Sequence, residues 1–269
     1  MRKFHTAAVA AIGAVVFAGS VSATDSDWVE KSNEHAQVVL EVFAEFNPEN
    51  AASFGVSGVD ENIIDFRPNV FERNIDASEA ALAELQKRRD TETDRKVHQD
   101  LGILIKAVED SMRSARLNRE HMLPYFNLSQ TVFLGIRGLV DPQIPRERYP
   151  AAIVRMKKYA GLVGAEKPLT ELAMDRTAER FDVDGLVGPY RGEVMQDMQR
   201  ADSMIAGIEE LLTDTDLEGW QETYAVLARQ LREYNDWVRA EILPRARADY
   251  RLPAVLYEDA LRGWGVDAA

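Results

Sequence analysis

The chain has 269 residues, 46% of them hydrophobic and 29% charged, which is long enough to bury a core and too apolar for a disordered protein. Its formal net charge of -13 becomes -15 once Arg2 and Lys3 are removed with a leader, and a surface so acidic repels nucleic-acid phosphate and anionic lipid. The absence of cysteine excludes a disulfide framework, a thiolate zinc site and a lipoprotein anchor, so stability must come from packing.

The chain opens on Met1-Arg2-Lys3, an apolar stretch from Thr6 to Ala18, and Val21-Ser22-Ala23 before the acidic Thr24-Asp25-Ser26-Asp27. That order of charged, apolar and small residues predicts a secretory signal peptide over residues 1–23. Cleavage after Ala23 would leave a periplasmic or secreted protein starting at Thr24. The apolar run is shorter than the roughly twenty residues a membrane helix needs, so no membrane association is expected after cleavage. The remainder, residues 24–269, is expected to be one all-α domain: long antiparallel helices with irregular connections and at most a minor short strand or two.

Trp28, Ser32, His35, Val39, Phe43 and Phe46 recur at helical spacing, and Asn47-Pro48 ends that helix. Residues 51–74, with Gly55, Gly58, Pro68 and Asn69, predict an irregular connection. A second helix is expected from Ser78 to Arg89, and a third from Glu92 past Leu117 on a stripe of Val97, Leu101, Leu104, Val108, Met112 and Ala115. Leu128 to Leu139 is too short an apolar run to separate helix from buried strand. Helix is expected again from Arg146 to Leu162 and from Lys167-Pro168 to about Phe181, with a break at Asp184-Gly185 and Gly188-Pro189. Two long stripes follow, Val194 to Leu212 and Trp220 to Val238, joined by Thr213-Asp214-Thr215-Asp216, which predicts an antiparallel helical hairpin. Leu243-Pro244 stops it, and Pro253 opens a short helix to Arg262.

The chemistry-bearing residues are few. The histidines are His5, His35, His98 and His121; no two stand four apart beside a glutamate, and Ser32, Arg95 and Asn118 occupy the positions where Glu-x-x-His pairs would need carboxylates. His35 on its apolar stripe reads as a hydrogen-bonded, half-buried histidine, and His98 and His121 as surface or interface residues. The pairs Glu30/Glu34 and Glu41/Glu45 lie a turn apart but off the apolar stripe, facing water. No phosphate loop, dinucleotide fingerprint or Gly-x-Ser-x-Gly elbow occurs. Trp220, Tyr224, Tyr234 and Trp237 could line a groove, although core packing of the hairpin is the commoner reason for such a stripe.

Three stretches carry a family resemblance. Phe46-Asn47-Pro48-Glu49-Asn50-Ala51-Ala52-Ser53-Phe54-Gly55, followed by Asp60, is similar to an early Pro-x-x-Ala-Thr-x-x-Gly stretch. Trp237-Val238 with Ile242-Leu243-Pro244-Arg245-Ala246 is similar to a Trp-Leu…Leu-Pro-Arg-Ala segment, and Tyr250-Arg251-Leu252, Leu256 to Arg262 and Gly265-Val266 continue the likeness. The chain thus resembles the amino-terminal half of the bacterial domain of unknown function 885, a family that looks like exported zinc metallopeptidases. In that family the histidine-glutamate zinc motif lies beyond the part resembled here, so no catalytic, cofactor-binding or metal-ligating residue carries over. The resemblance implies zinc only for a full-length relative, none in this chain, and a role in walling and covering a substrate cleft. The leading expectation is a truncated half, inactive alone, whose partners would be a peptide or the missing carboxy-terminal half. The alternative is a stand-alone periplasmic helical module that binds a peptide or protein, and an enzyme of another class ranks third. If it is a half, the terminal residues Trp237, Ile242, Leu243, Leu252, Val255, Leu256, Leu261 and Trp264 should leave an apolar patch whose consequence is self-association or poor stability.

Overall fold

The computed structural model describes residues 26–164 and 167–266. The expected signal peptide and its cleavage site lie outside these residues. Among the described residues the chain is all-α: ten α-helices and no strand, with two isolated β-bridges, Met122 with Val187 and Tyr190 with Arg247. No helix among them is long and apolar enough to cross a membrane. The chain divides into two compact units, one of residues 1–43, 69–120 and 252–269, the other of residues 44–68 and 121–251.

The first unit contains most of α1 (Ser26–Phe46), then α3 (Val70–Thr91), most of α4 (Arg95–His121) and α10 (Ala254–Gly263). The stripe expected on α4 is the centre of its core: Val97, Leu101, Leu104, Val108 and Met112 are buried with Val39 of α1 and Ile75 and Leu85 of α3, Ala115 packs partly buried against them, and Ile105 joins the cluster from beside the stripe. Glu79 pairs with Arg116, and Glu72 with Arg119 at 3.5 Å, so residue numbers rise along α3 as they fall along α4 and the two helices run antiparallel. Arg88 beside His35, and Lys96 over the Trp28 ring at 4.7 Å, bring α1 against the end of α3 and the start of α4.

Helix α3 starts eight residues before the expected Ser78. Asn69, in the left-handed region at φ 57°, turns the chain into the helix, and Phe71 and Ile75, four apart, bring apolar surface to the core. That packing outweighs the poor helical propensity of Asn74 and Asp76. Helix α10 is fastened to α4 by Asp259, whose carboxylate accepts hydrogen bonds from Arg113 Nε at 2.7 Å and from the Ser114 hydroxyl, while Leu256 is buried.

The second unit is built on α5 (Leu128–Val140), α6 (Pro150–Tyr159), α7 (Leu169–Ala178) and the hairpin of α8 (Arg191–Thr213) and α9 (Gln221–Trp237). The ambiguous run from Leu128 is a helix. Asn127 caps it by accepting from the Gln130 amide at 3.1 Å, and Leu128, Val132, Ile136 and Leu139 recur at helical spacing in the core. The α8–α9 hairpin has the expected form, with Tyr224 donating to the Ile205 carbonyl at 3.2 Å. Beyond Trp237 the helix widens into a π turn over Val238–Ile242 and then tightens into a 3-10 turn over Leu243–Arg245. Pro244 lacks the amide hydrogen that an α-helix would need there. The start of the segment read as an irregular, partly ordered connection falls in a short helix, α2 (Pro48–Ser53): Pro48, which ends α1, is the first residue of the next helix, where its missing N–H costs nothing.

Of the terminal residues expected to form an open patch, Ile242 and Leu256 are buried, and Trp237 and Leu243 pack against the core of the second unit. Ile242, Trp237 and Leu243 are covered by the core of the second unit rather than left open. Val255 and Trp264 stay exposed, with Tyr257 and Val266.

Candidate functional site

The most concentrated polar chemistry lies inside the second unit, where residues 44–68 cross helices α5, α6 and α7 as an extended strap. The strap has little regular structure, so its backbone polar groups need partners from elsewhere. Two arginines and a glutamate bond three of them, and a third arginine holds a carboxylate of the strap. Arg155 of α6, 1% exposed, donates from Nη2 to the Val59 carbonyl at 2.9 Å and from Nη1 to the Gly135 carbonyl of α5 at 2.8 Å. Arg176 of α7 donates to the Phe66 carbonyl at 3.4 Å and to the Glu179 carboxylate. Arg148 forms a two-pronged pair with Asp60 at 2.8 and 2.7 Å, and that hydrogen-bonded guanidinium holds the Asp60 carboxyl below its ordinary range. On the strap itself, Glu49 Oε1 accepts from Tyr159 Oη at 2.7 Å and from the Ile64 amide at 2.8 Å. Tyr159 is completely buried, and burial, with the Glu49 charge adding to it, pushes its phenol well above the usual value. This phenol donates a hydrogen bond and stays neutral.

Gly135 makes the seam possible. A Cβ there would stand 2.4 Å from Tyr159 Oη and 3.0 Å from Glu49 Cγ, so only glycine lets α5 approach the Glu49–Tyr159 pair. A second polar group lies on α8: Asp197 is buried, Tyr125 donates to it at 3.4 Å, and burial followed by the Asp197 charge raises the Tyr125 phenol. Glu193, one turn before Asp197, acts on Tyr125 and also on Arg247, which burial lowers. Arg247 Nη1 donates to the Gly188 carbonyl at 2.6 Å. These contacts join loops to helices; no nucleophile is paired with a base in them.

The aromatic stripe is core. Trp220 is buried and edge-on to Tyr224 at 6.0 Å, Tyr234 donates to the Phe126 carbonyl at 2.8 Å, and Trp237 stacks between Tyr234 and Phe181 at 5.7 and 6.2 Å. Glu30, Glu34, Glu41 and Glu45 are all exposed, as their register implied. His98 is exposed and His121 half-buried, and among the described residues no three histidine, aspartate or glutamate side chains come together as a metal would require.

His35 is half-buried, with Arg88 Nη1 donating to its Nδ1 at 3.3 Å. Burial first, and then the Arg88 charge, hold its pKa below the ordinary 6.5, against the pull of Glu92, Glu34 and Glu84. A depressed folded pKa means the unfolded chain binds the proton more readily. The stability His35 contributes is therefore present above pH 6.5 and is lost as pH falls through the lower folded value. Thermal melts at a series of pH values from about 7.5 to 5 should fall more steeply for the wild type than for His35→Gln. Parallel curves for the two proteins would show that the imidazole stays indifferent to its neighbours.

Sequence reasoning missed the buried arginines. A signal existed: Arg155 falls between Ala152, Met156 and Tyr159, and Arg176 follows Leu169, Leu172 and Ala173, so both occupy the apolar register of their helices. A charge at such a position has to find a carboxylate or a set of carbonyls.

No curated protein and no solved structure matches the chain. One family model does, described as bacterial protein of unknown function (DUF885), over residues 48–268, a span that begins at Pro48 of α2 and includes most of each unit but not α1. The chain belongs to the DUF885 family.

Proposed function

We propose that this chain is the helical, substrate-covering part of an exported metallopeptidase-like protein, and that a separate part supplies the zinc and the catalytic base. The observation that carries the reading is the family match over residues 48–268, which contains almost all of the three stretches similar to the amino-terminal half of such proteins. The all-helical build of that span fits a wall or cover. On this reading the mature chain holds no stoichiometric zinc and cleaves no peptide by itself. Metal analysis and a peptide-hydrolysis assay on the purified chain test it; about one zinc per chain together with hydrolysis by the chain alone would overturn it. Export is part of the proposal, and the intact mass of the protein recovered from the cell envelope should correspond to a chain starting at Thr24. A mass that includes Met1 to Ala23 would remove the leader and the location together.

The burial of Ile242 and Leu256 favours a second reading, a self-contained periplasmic module that binds a peptide or protein partner. Saturable peptide binding by the chain alone, without any zinc-bearing part, would select it over the first.

A further inference from the structure

Helix α10 has two apolar faces and uses one of them. Leu256 is buried and Asp259 is clasped by Arg113 and Ser114, which fixes the side of the helix that meets α4. Tyr257, Leu261 and Trp264 follow at i, i+4 and i+7 along a different stripe. Tyr257 is 56% exposed, Trp264 74% exposed, and Leu261 between them is half-buried. Two large aromatics on one ridge, Tyr257 within the helix and Trp264 as its C-cap, are more apolar surface than a solvated helix needs, and aromatic side chains are the usual anchors of interfaces.

The charges beside the ridge identify its occupant. Glu258 and Arg262 each follow a ridge residue by one position, so they share a flank one turn apart. In an antiparallel pair of identical helices related by a two-fold axis between Ala260 and Leu261, Tyr257 of each copy meets Trp264 of the other. The two Leu261 side chains meet near the axis. In the same register Glu258 of each copy falls within one residue's rise, about 1.5 Å, of Arg262 of the other, a pairing made twice. An isologous contact needs a surface complementary to itself, and the paired apolar residues and opposite charges of this stripe meet that need. We propose that α10 is a homodimer contact and that its occupant is α10 of a second copy of this chain. The ridge is part of the terminal surface that the half-protein reading leaves open, and the exchange of Glu258 and Arg262 distinguishes a specific two-fold pair from the unspecific association that reading expects.

The contact is small. Each aromatic can bury about 150–250 Å² in full and is already partly covered, so the buried area per copy falls short of the roughly 800 Å² of a standard interface. The dimer is therefore weak and reversible, forming in the micromolar range. Sedimentation velocity of the full mature chain from about 1 to 200 µM should show a concentration-dependent shift from monomer to dimer. Trp264→Ser should weaken association by at least about tenfold, as expected for loss of a central aromatic anchor. Glu258→Arg and Arg262→Glu should each weaken it by about tenfold, because each places like charges opposite one another twice. The double exchange E258R/R262E restores opposite charges across the axis and should return association to near the wild-type value. Circular dichroism melts identify any variant that has lost its fold, and the double exchange keeps the test decisive because it conserves composition. A chain that stays monomeric over the whole range overturns the proposal, as does a dimer indifferent to Trp264→Ser. A double exchange as weak as either single one also overturns it.

Discussion

Replacing Arg155 by Ala should destabilise the second unit by about 3–4 kcal/mol, since it empties a large side-chain volume in a fully buried site and removes two charge-assisted hydrogen bonds. The guanidinium is 1% exposed, bonds the carbonyls of Gly135 and Val59, and has no partner for Nε among the described residues. Burying a charge this way is costly, so the direction of the effect is not obvious without considering what is left behind. The Val59 carbonyl already accepts from the Asn62 amide at 3.0 Å, and Gly135 lies within α5, so neither acceptor is orphaned when Arg155 goes. The loss should therefore come mostly from the cavity and from release of the strap. Arg155→Met, which refills much of the volume with apolar atoms, should recover about half of it. Denaturant unfolding of the three proteins measures both differences. If the Ala variant loses less than about 1 kcal/mol, Arg155 does not hold the strap.

The contrast between α8–α9 and the strap shows which physical signals a sequence carries openly. Ile205, Ile208 and Leu212, then Leu227, Leu231 and Tyr234, repeat at helical spacing because each faces one core, and the polar turn at 213–216 reverses the chain between them. Local spacing and tertiary burial agree there, so reading one reveals the other. In residues 54–68 they do not agree. The order of that segment comes from Arg148, Arg155 and Arg176, which are 88, 96 and 110 residues away from the groups they hold, and no local pattern reports a bond of that reach. A reading that counts every arginine as a surface residue also places these three in water. Helix α2 was hidden for a related reason: six residues are too few to display a period, and Pro48 reads as a stop before it reads as a start.

The site chemistry was legible in a narrower way. The register of Glu30, Glu34, Glu41 and Glu45 placed them toward solvent, where they are. His35 lay on an apolar stripe, and its half-burial with a hydrogen-bonding neighbour follows from that position, but the identity of the neighbour, Arg88, depends on how α1 meets α3. The stretch from Phe46 to Gly55 carried family resemblance without any sign of its physical task. Glu49 within it turns out to be the acceptor for both Tyr159 and Ile64.

Gly188→Ala should cost about 3 kcal/mol, at the upper end of what an added methyl costs in a packed site, because the obstacle is backbone. A Cβ at Gly188 would lie 2.0 Å from the Arg245 carbonyl oxygen, 2.8 Å from the carbonyl carbon and 3.2 Å from Ala246 Cα. A side chain could rotate away from such a clash, but this stretch of main chain is pinned from several directions. The Arg247 amide donates to the Pro189 carbonyl at 2.9 Å, the Arg191 amide donates to the Arg247 carbonyl at 2.9 Å, and Arg247 Nη1 bonds the Gly188 carbonyl itself. On its other side, Val187 is tied to residues 121–123 by amide–carbonyl bonds of 2.8 and 3.0 Å. Relief therefore means moving residues 245–247, which would lengthen the Tyr190–Arg247 bridge and pull the Arg245 guanidinium from its place 4.1 Å over the Phe181 ring. That ring stacks on Trp237, so the near-ultraviolet circular dichroism of the folded variant should change along with its stability. The matched control is Gly138→Ala on α5, where an added Cβ meets nothing within 4 Å. Inside an exposed helical turn that change should stabilise by about 0.5–1 kcal/mol. Denaturant midpoints for the two variants should thus move in opposite directions from the wild type, and a Gly188→Ala protein that unfolds with the wild type would show that the 245–247 turn is free to give way.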